Sequence, residues 1–216
     1  MFTDADARAE WEALGLDSLP VAVRGDRRLL IFHVDQLRSF LGLEAGNTAG
    51  SYQDYVAALE RVLEGVERAV RQVPAEHFAT PTPNRGRDLA ELVFNIHEPG
   101  HLMQESLDSG GFYWRTQDDH ERSRRFKNTQ ELADFCREVR VGWFTRASAV
   151  DDETAQSTVQ TEKGPLTYQQ VLEAQSFHAA QHLRQIYVFL RELGVEPKQE
   201  LTAADIAPIQ LGDLIF

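Results

Sequence analysis

The sequence predicts a mostly α fold, an antiparallel four-helix bundle with a small N-terminal ββα appendage. Two observations predict it. From Ser51 onward, apolar residues recur at a helical period through four long stretches, whereas before about residue 45 the apolar runs are short and β-prone. The composition agrees: 216 residues, 42% hydrophobic and 26% charged, with 14 Gly and 8 Pro, make an ordinary globular chain rather than a disordered or fibrous one.

The appendage spans residues 1–46. Ala5 to Leu14 suits a short helix. Val21 to Val23 and Leu29 to Phe32 are β-prone runs joined by Arg24-Gly25-Asp26-Arg27, a tight-turn sequence, and Val34 to Leu41 returns to helical spacing. So small a unit buries too little apolar surface to stand alone and is expected to pack on the rest of the chain. Gly46 to Gly50 reads as the connector.

The bundle spans residues 50–194. Its first helix is opened by Ser51 with Asp54 three residues on, carries Tyr55, Leu59, Val62, Val66, Val70 and Val73, and closes at Pro74. The second begins at Leu89, Leu92, Val93 and Ile96, after a loop holding three prolines, and Pro99-Gly100 is expected to bend or break it. The third starts at Asn128 with Glu131 and carries Leu132, Phe135, Val139, Trp143 and Val150. The fourth starts at Thr167 with Gln170 and runs through Leu172, Ala179, Leu183, Ile186 and Leu190 to a stop at Gly194. Residues 195–216, with Pro197 and Pro208, read as an irregular strap across the bundle.

Several functions are disfavoured at once. The net charge of −12 repels phosphate backbones, so nucleic acid is not an expected partner; the short basic cluster Arg122 to Lys127 reads as a solvated loop. No apolar run approaches the roughly 20 residues of a membrane span, and the amino end lacks the basic start and apolar stretch of an export signal, so a cytoplasmic protein with no membrane partner is expected. The single cysteine, Cys136, leaves no internal disulfide or CxxC pair and reads as a small buried hydrophobe.

The strongest chemical signal is His178-Ala179-Ala180-Gln181-His182. Four residues apart on a helix, the two imidazoles stack on one face, beside Gln175, Gln185 and Phe189 and next to the apolar stripe. Buried there they need partners, and either a metal or an ordinary hydrogen-bonded pair meets that need. A third ligand must come from another helix, and Ile96-His97-Glu98-Pro99-Gly100-His101 offers His97 or His101. Glu98 and Gln185 are the candidates for orienting an imidazole or a substrate.

Those residues, with the run Arg87-Asp88-Leu89-Ala90-Glu91-Leu92-Val93-Phe94, resemble the DinB/YfiT-like superfamily over about residues 50 to 216. The resemblance implies a four-helix bundle holding a divalent metal, usually zinc or nickel, on three histidines, and frequently a homodimer. It implies thiol-dependent activities in characterised members: glutathione, mycothiol or bacillithiol S-transfer and maleylpyruvate isomerisation. In the family the first histidine follows the leading apolar run as His-Ile or His-Leu. Here that place reads Phe94-Asn95-Ile96, so an ungapped match sets Asn95, or Leu92 in another register, where a ligand is expected. His97 fits only if the register shifts by two. Otherwise His101 substitutes, or the site is incomplete.

Gly15 to Asp26, with the strand and helix that follow, is similar to the distal half of a glutaredoxin-type thioredoxin fold, in which a cis-proline lies beside the thiol-binding site. Pro20 takes that slot. The half carrying a redox cysteine is absent, so either a thiol-binding surface is retained or the piece merely covers a bundle face.

The resulting expectation is a divalent-metal-dependent protein, with His97, His178 and His182 as ligands, that acts on a small electrophilic substrate as a thiol S-transferase or hydrolase. The alternative is a non-catalytic, ligand-binding or stress-related bundle with an incomplete metal site.

Overall fold

The computed structural model describes residues 5–15, 20–31, 33–44, 50–83, 86–113 and 119–211, which divide into two compact units, Met1–Asn47 and Thr48–Phe216.

In the first unit, α1 (Ala5–Ala13) precedes a hairpin of β1 (Val21–Arg24) and β2 (Arg27–Leu30), and α2 (Val34–Leu41) follows. Val21 pairs with Leu30 and Arg24 with Arg27, so Gly25 and Asp26 form a two-residue loop. Gly25 adopts φ 61° there, which a residue without Cβ reaches freely. Pro20 is exposed just ahead of β1. The peptide bond before it involves Leu19, and the expected connector is centred on Asn47 and Thr48; both lie outside the described residues.

The second unit is a four-helix bundle with local structure at one end. Helix α3 (Tyr52–Val70) is opened by a reciprocal capping box between Ser51 and Asp54. Helix α4 (Leu89–Ser109) begins at the Asp88 cap and ends on Gly110 in the left-handed conformation. A short strand β3 (Gly111–Phe112) and helix α5 (Asp119–Ser123) lead to α6 (Thr129–Ala147), whose Asn128 cap accepts from the Glu131 amide. After α7 (Asp152–Ala155), β4 (Thr158–Thr161) and β5 (Gly164–Thr167), a second capping box, Thr167 with Gln170, opens α8 (Tyr168–Glu192). Sequence periodicity does not reveal the three-stranded sheet, in which β3 runs parallel to β4 and β4 antiparallel to β5. The TVQTEKGPLT alternation was its available signal.

Around the bundle, α3 packs on α6 and α8, and α4 packs on the same two helices. Consecutive helices α3 and α4 therefore stand at diagonal corners. Tyr52 reaches the Ala147 carbonyl while Arg71 meets Asp134, so α3 and α6 are antiparallel. Asn95 meets His178 and Met103 meets Tyr168, so α4 and α8 are antiparallel as well. The two pairs lie side by side in parallel, as Phe94 on Phe135 and Asp108 on Arg146 show for α4 and α6. Chain returning from the end of α4 to the start of α6 must travel the length of the bundle, and α5 lies on that route, against α4.

Close approach is bought with two glycines. A Cβ at Gly65 would stand 2.9 Å from Leu183 Cδ2, and one at Gly100 would stand 3.2 Å from Val139 Cγ1. Gly100 is thus a packing residue between α4 and α6, and α4 continues through Pro99-Gly100 without a break. Trp143, Tyr168, Phe94 and Phe189 are among the largest fully buried side chains of the core. Past α8, the tail is tied down by Leu201, whose amide donates to the Tyr187 hydroxyl, and by buried Ile206 and Ile209. Among the described residues no helix is long and apolar enough to cross a membrane.

Candidate functional site

The site is set by a backbone defect. In a regular helix the amide of residue 99 would donate to the carbonyl of residue 95, but Pro99 has no amide hydrogen. The Asn95 carbonyl therefore lacks its helical donor, and His178 Nε2 approaches it at 3.3 Å from α8. A carbonyl only accepts, so Nε2 is the donor in this contact. The Asn95 side chain is buried, and its Oδ1 accepts from Arg87 Nη1 at 3.3 Å. Arg87 also lies 3.7 Å from Glu91, one turn along α4.

His182 lies one turn beyond His178, as their spacing requires. The rings are edge to face, with centroids 4.4 Å apart and planes at 84°. His182 Nδ1 lies 2.8 Å from Gln185 Oε1, an acceptor, so Nδ1 is the donor in this contact. Fixing one ring nitrogen through a hydrogen bond is how proteins orient an imidazole for a metal or a proton transfer at the other. Both rings are half-buried, and Gln175 and Gln185 beside them are buried.

His97 goes elsewhere. Residues 95 and 97 are separated by about 200° around a helix, so they face opposite neighbours. The His97 ring lies against Phe135 of α6, with centroids 5.8 Å apart, and its Nδ1 bonds the Val93 carbonyl at 3.0 Å. Its Nε2 is buried with no hydrogen-bond partner. Burial holds its pKa down at about 4, and the positive character of His101 and Arg140 pushes the same way, against the Val93 carbonyl and Glu67. His101 also faces Phe135, at 6.3 Å. A two-residue register shift would bring His97 round toward α8, but unbroken α4 keeps it on the α6 side. His97 and His101 thus do not join His178 and His182.

Glu98 is likewise engaged away from the pair. One carboxylate oxygen meets Arg122 of α5 and the other is buried without a partner. Arg122 also stacks over Phe94 at 4.9 Å, and Arg125 over Phe126 at 4.8 Å and Phe135 at 5.1 Å. The basic cluster read as a solvated loop is therefore partly structural, its guanidiniums covering the aromatic edge of α4 and α6. Cys136 is fully buried, and burial together with nearby Glu67 pushes its thiol well above the ordinary range, which removes it as a nucleophile.

Among the described residues no group of three or more His, Cys, Asp or Glu side chains is gathered to hold a metal ion. The structure brings His178 and His182 together and gathers no three-histidine centre among the described residues.

The chain matches no protein-family model and no curated protein sequence. Among solved structures it is similar to one described as "YfiT from Bacillus subtilis is a probable metal-dependent hydrolase with an unusual four-helix bundle topology". The two share 14% identity and a TM-score of 0.57, over 71% of this chain and 95% of that one. At this identity the likeness establishes the four-helix-bundle fold.

Proposed function

We propose that the α4/α8 face is the working site of this bundle. There the chain uses a divalent ion recruited by His178 and His182 to act on a small electrophilic molecule, as a hydrolase or as a transferase of a low-molecular-weight thiol. The observation that carries the reading is the paired imidazoles, each with one nitrogen fixed, by Asn95 and by Gln185. The similar bundle is itself described as a probable metal-dependent hydrolase. When bound, such an ion supplies a lowered pKa to a coordinated water or thiol. The chain's own residues do the positioning: Gln185 holds His182 at Nδ1, the Asn95 carbonyl holds His178 at Nε2, and Arg87 holds the Asn95 amide. Zinc or nickel and a homodimer are what the family resemblance implies, and both are part of this proposal.

A second reading has its own observation. With His178 already serving the Asn95 carbonyl, and no third donor gathered among the described residues, the layer reads instead as a hydrogen-bonded seam of a non-catalytic ligand-binding bundle. Elemental analysis after incubation with zinc or nickel and desalting separates the two. Retained stoichiometric metal, lost in the His178→Ala/His182→Ala double variant with its helical circular dichroism intact, supports the metal reading. Absence of retained metal, or its survival in the double variant, overturns the site.

A further inference from the structure

A second polar surface lies on the α3/α6 side, independent of the reading above. A groove of about 820 Å³ is lined by Arg68, Arg71, Arg137, Arg140 and Lys198, with Glu67 among its walls. Five cations on one face run against a chain of net charge −12. Carboxylates are present too. Buried Glu67 meets Arg71, Arg137 and Arg140, Glu60 meets Arg140, Asp134 meets Arg71, and Glu64 stands at the rim.

Those carboxylates do not use up the donors. Arg137 spends Nε and Nη2 on Glu67, which leaves both hydrogens of Nη1, and its side chain is 60% exposed. Arg140 Nε is buried and has no acceptor among the described residues. Among the described residues the Lys198 ammonium has no ion-pair or hydrogen-bond partner.

Nor is Lys198 loosely hung. Its amide donates to Gln72 Oε1 at 2.7 Å, and Arg68 Nη2 holds the next carbonyl, that of Gln199, at 2.9 Å. Gln199 is in the left-handed region at φ 54°, a conformation uncommon for a residue with a Cβ. The tail is thus turned and pinned where it brings a lysine to the groove.

An ion-pair network that only ties α3 to α6 needs neither the lysine nor the open volume. We propose that this groove binds a small polyvalent anion, a molecule carrying two or more phosphate or carboxylate groups, with Lys198 and Arg137 as its main contacts and Arg68 and Arg140 beside them. Guanidinium forks suit such oxygens in pairs, and the volume is that of a small-molecule site rather than of one bare ion.

The test is calorimetric titration of the full chain with pyrophosphate and with citrate, at matched ionic strength. Binding is expected one to one, with a Kd below about 1 mM, and about tenfold or more weaker in Lys198→Gln/Arg137→Gln. Pyrophosphate alone or citrate alone identifies the natural anion as phosphate-bearing or carboxylate-bearing. Lys198→Gln by itself breaks no ion pair, so it must weaken binding even where the double variant folds poorly. Failure of both anions to bind, or unchanged affinity in Lys198→Gln, overturns the proposal.

Discussion

The two flanks of α4 treat histidine in opposite ways. Toward α8, His178 and His182 are half-buried, each with a hydrogen-bonded nitrogen, in a layer of amides and a carbonyl. Toward α6, His97 is fully buried against an aromatic ring, with Nε2 unpartnered, and Arg137 and Arg140 nearby pair with Glu67. The same residue type serves polar satisfaction on one side and core packing on the other. What differs is whether the facing helix brings amides or phenyl rings.

The contrast is most exposed to removal of Glu67. Its pKa is lowered although burial acts to raise it, because the hydrogen bonds and charges of Arg71, Arg137 and Arg140 outweigh burial. Glu67→Ala leaves Arg140 largely buried without its central partner, and should cost about 3 to 5 kcal/mol in denaturant unfolding at pH 7. A loss under about 1 kcal/mol would mean that the α6 flank does not depend on its ion pairs.

Acid probes His97 next. With a folded pKa of about 4, below the unfolded value near 6.5, the unfolded state binds the proton first as pH falls. Its contribution is present above about pH 6.5, declines as pH drops, and has fallen by about 3 kcal/mol once pH is below about 4. The slope between those limits should flatten in His97→Leu, measured by urea unfolding across the range. An unchanged slope would place the ring in contact with water.

The smallest effect tests the Pro99 argument directly. His178→Ala should cost about 1 kcal/mol, because the Asn95 carbonyl loses its donor. In a Pro99→Ala background the helix supplies that donor, so the same change should cost distinctly less, with a coupling of about 0.5 to 1 kcal/mol in a double-mutant cycle. Additive effects would show that His178 does not compensate the missing amide.

Local grammar explains why much of this was legible. Ser51 with Asp54 and Thr167 with Gln170 are capping boxes that act within four residues, and the i, i+4 spacing of His178 and His182 stacks their rings on any α-helix. His97 was harder to place, because choosing a third ligand means knowing which neighbour each face of α4 meets. Consecutive α3 and α4 stand diagonally, an arrangement that no periodicity records. Pro99-Gly100 reads as a break when judged alone. In the folded chain the lost hydrogen bond is replaced from α8, and Gly100 admits Val139 of α6.

The amino-acid sequence on its own determined the helices, their caps, the apolar stripes and the stacking of two imidazoles, since each depends on contacts within a few residues. Tertiary structure alone decided the partners that come from another helix: Asn95 for His178, Phe135 for His97, Arg122 for Glu98, and Arg137 and Arg140 for Glu67. Those pairings depend on how helices distant in sequence are ordered around the core, and the angle of about 200° between positions two apart on α4, such as 95 and 97, is enough to send one residue to each flank.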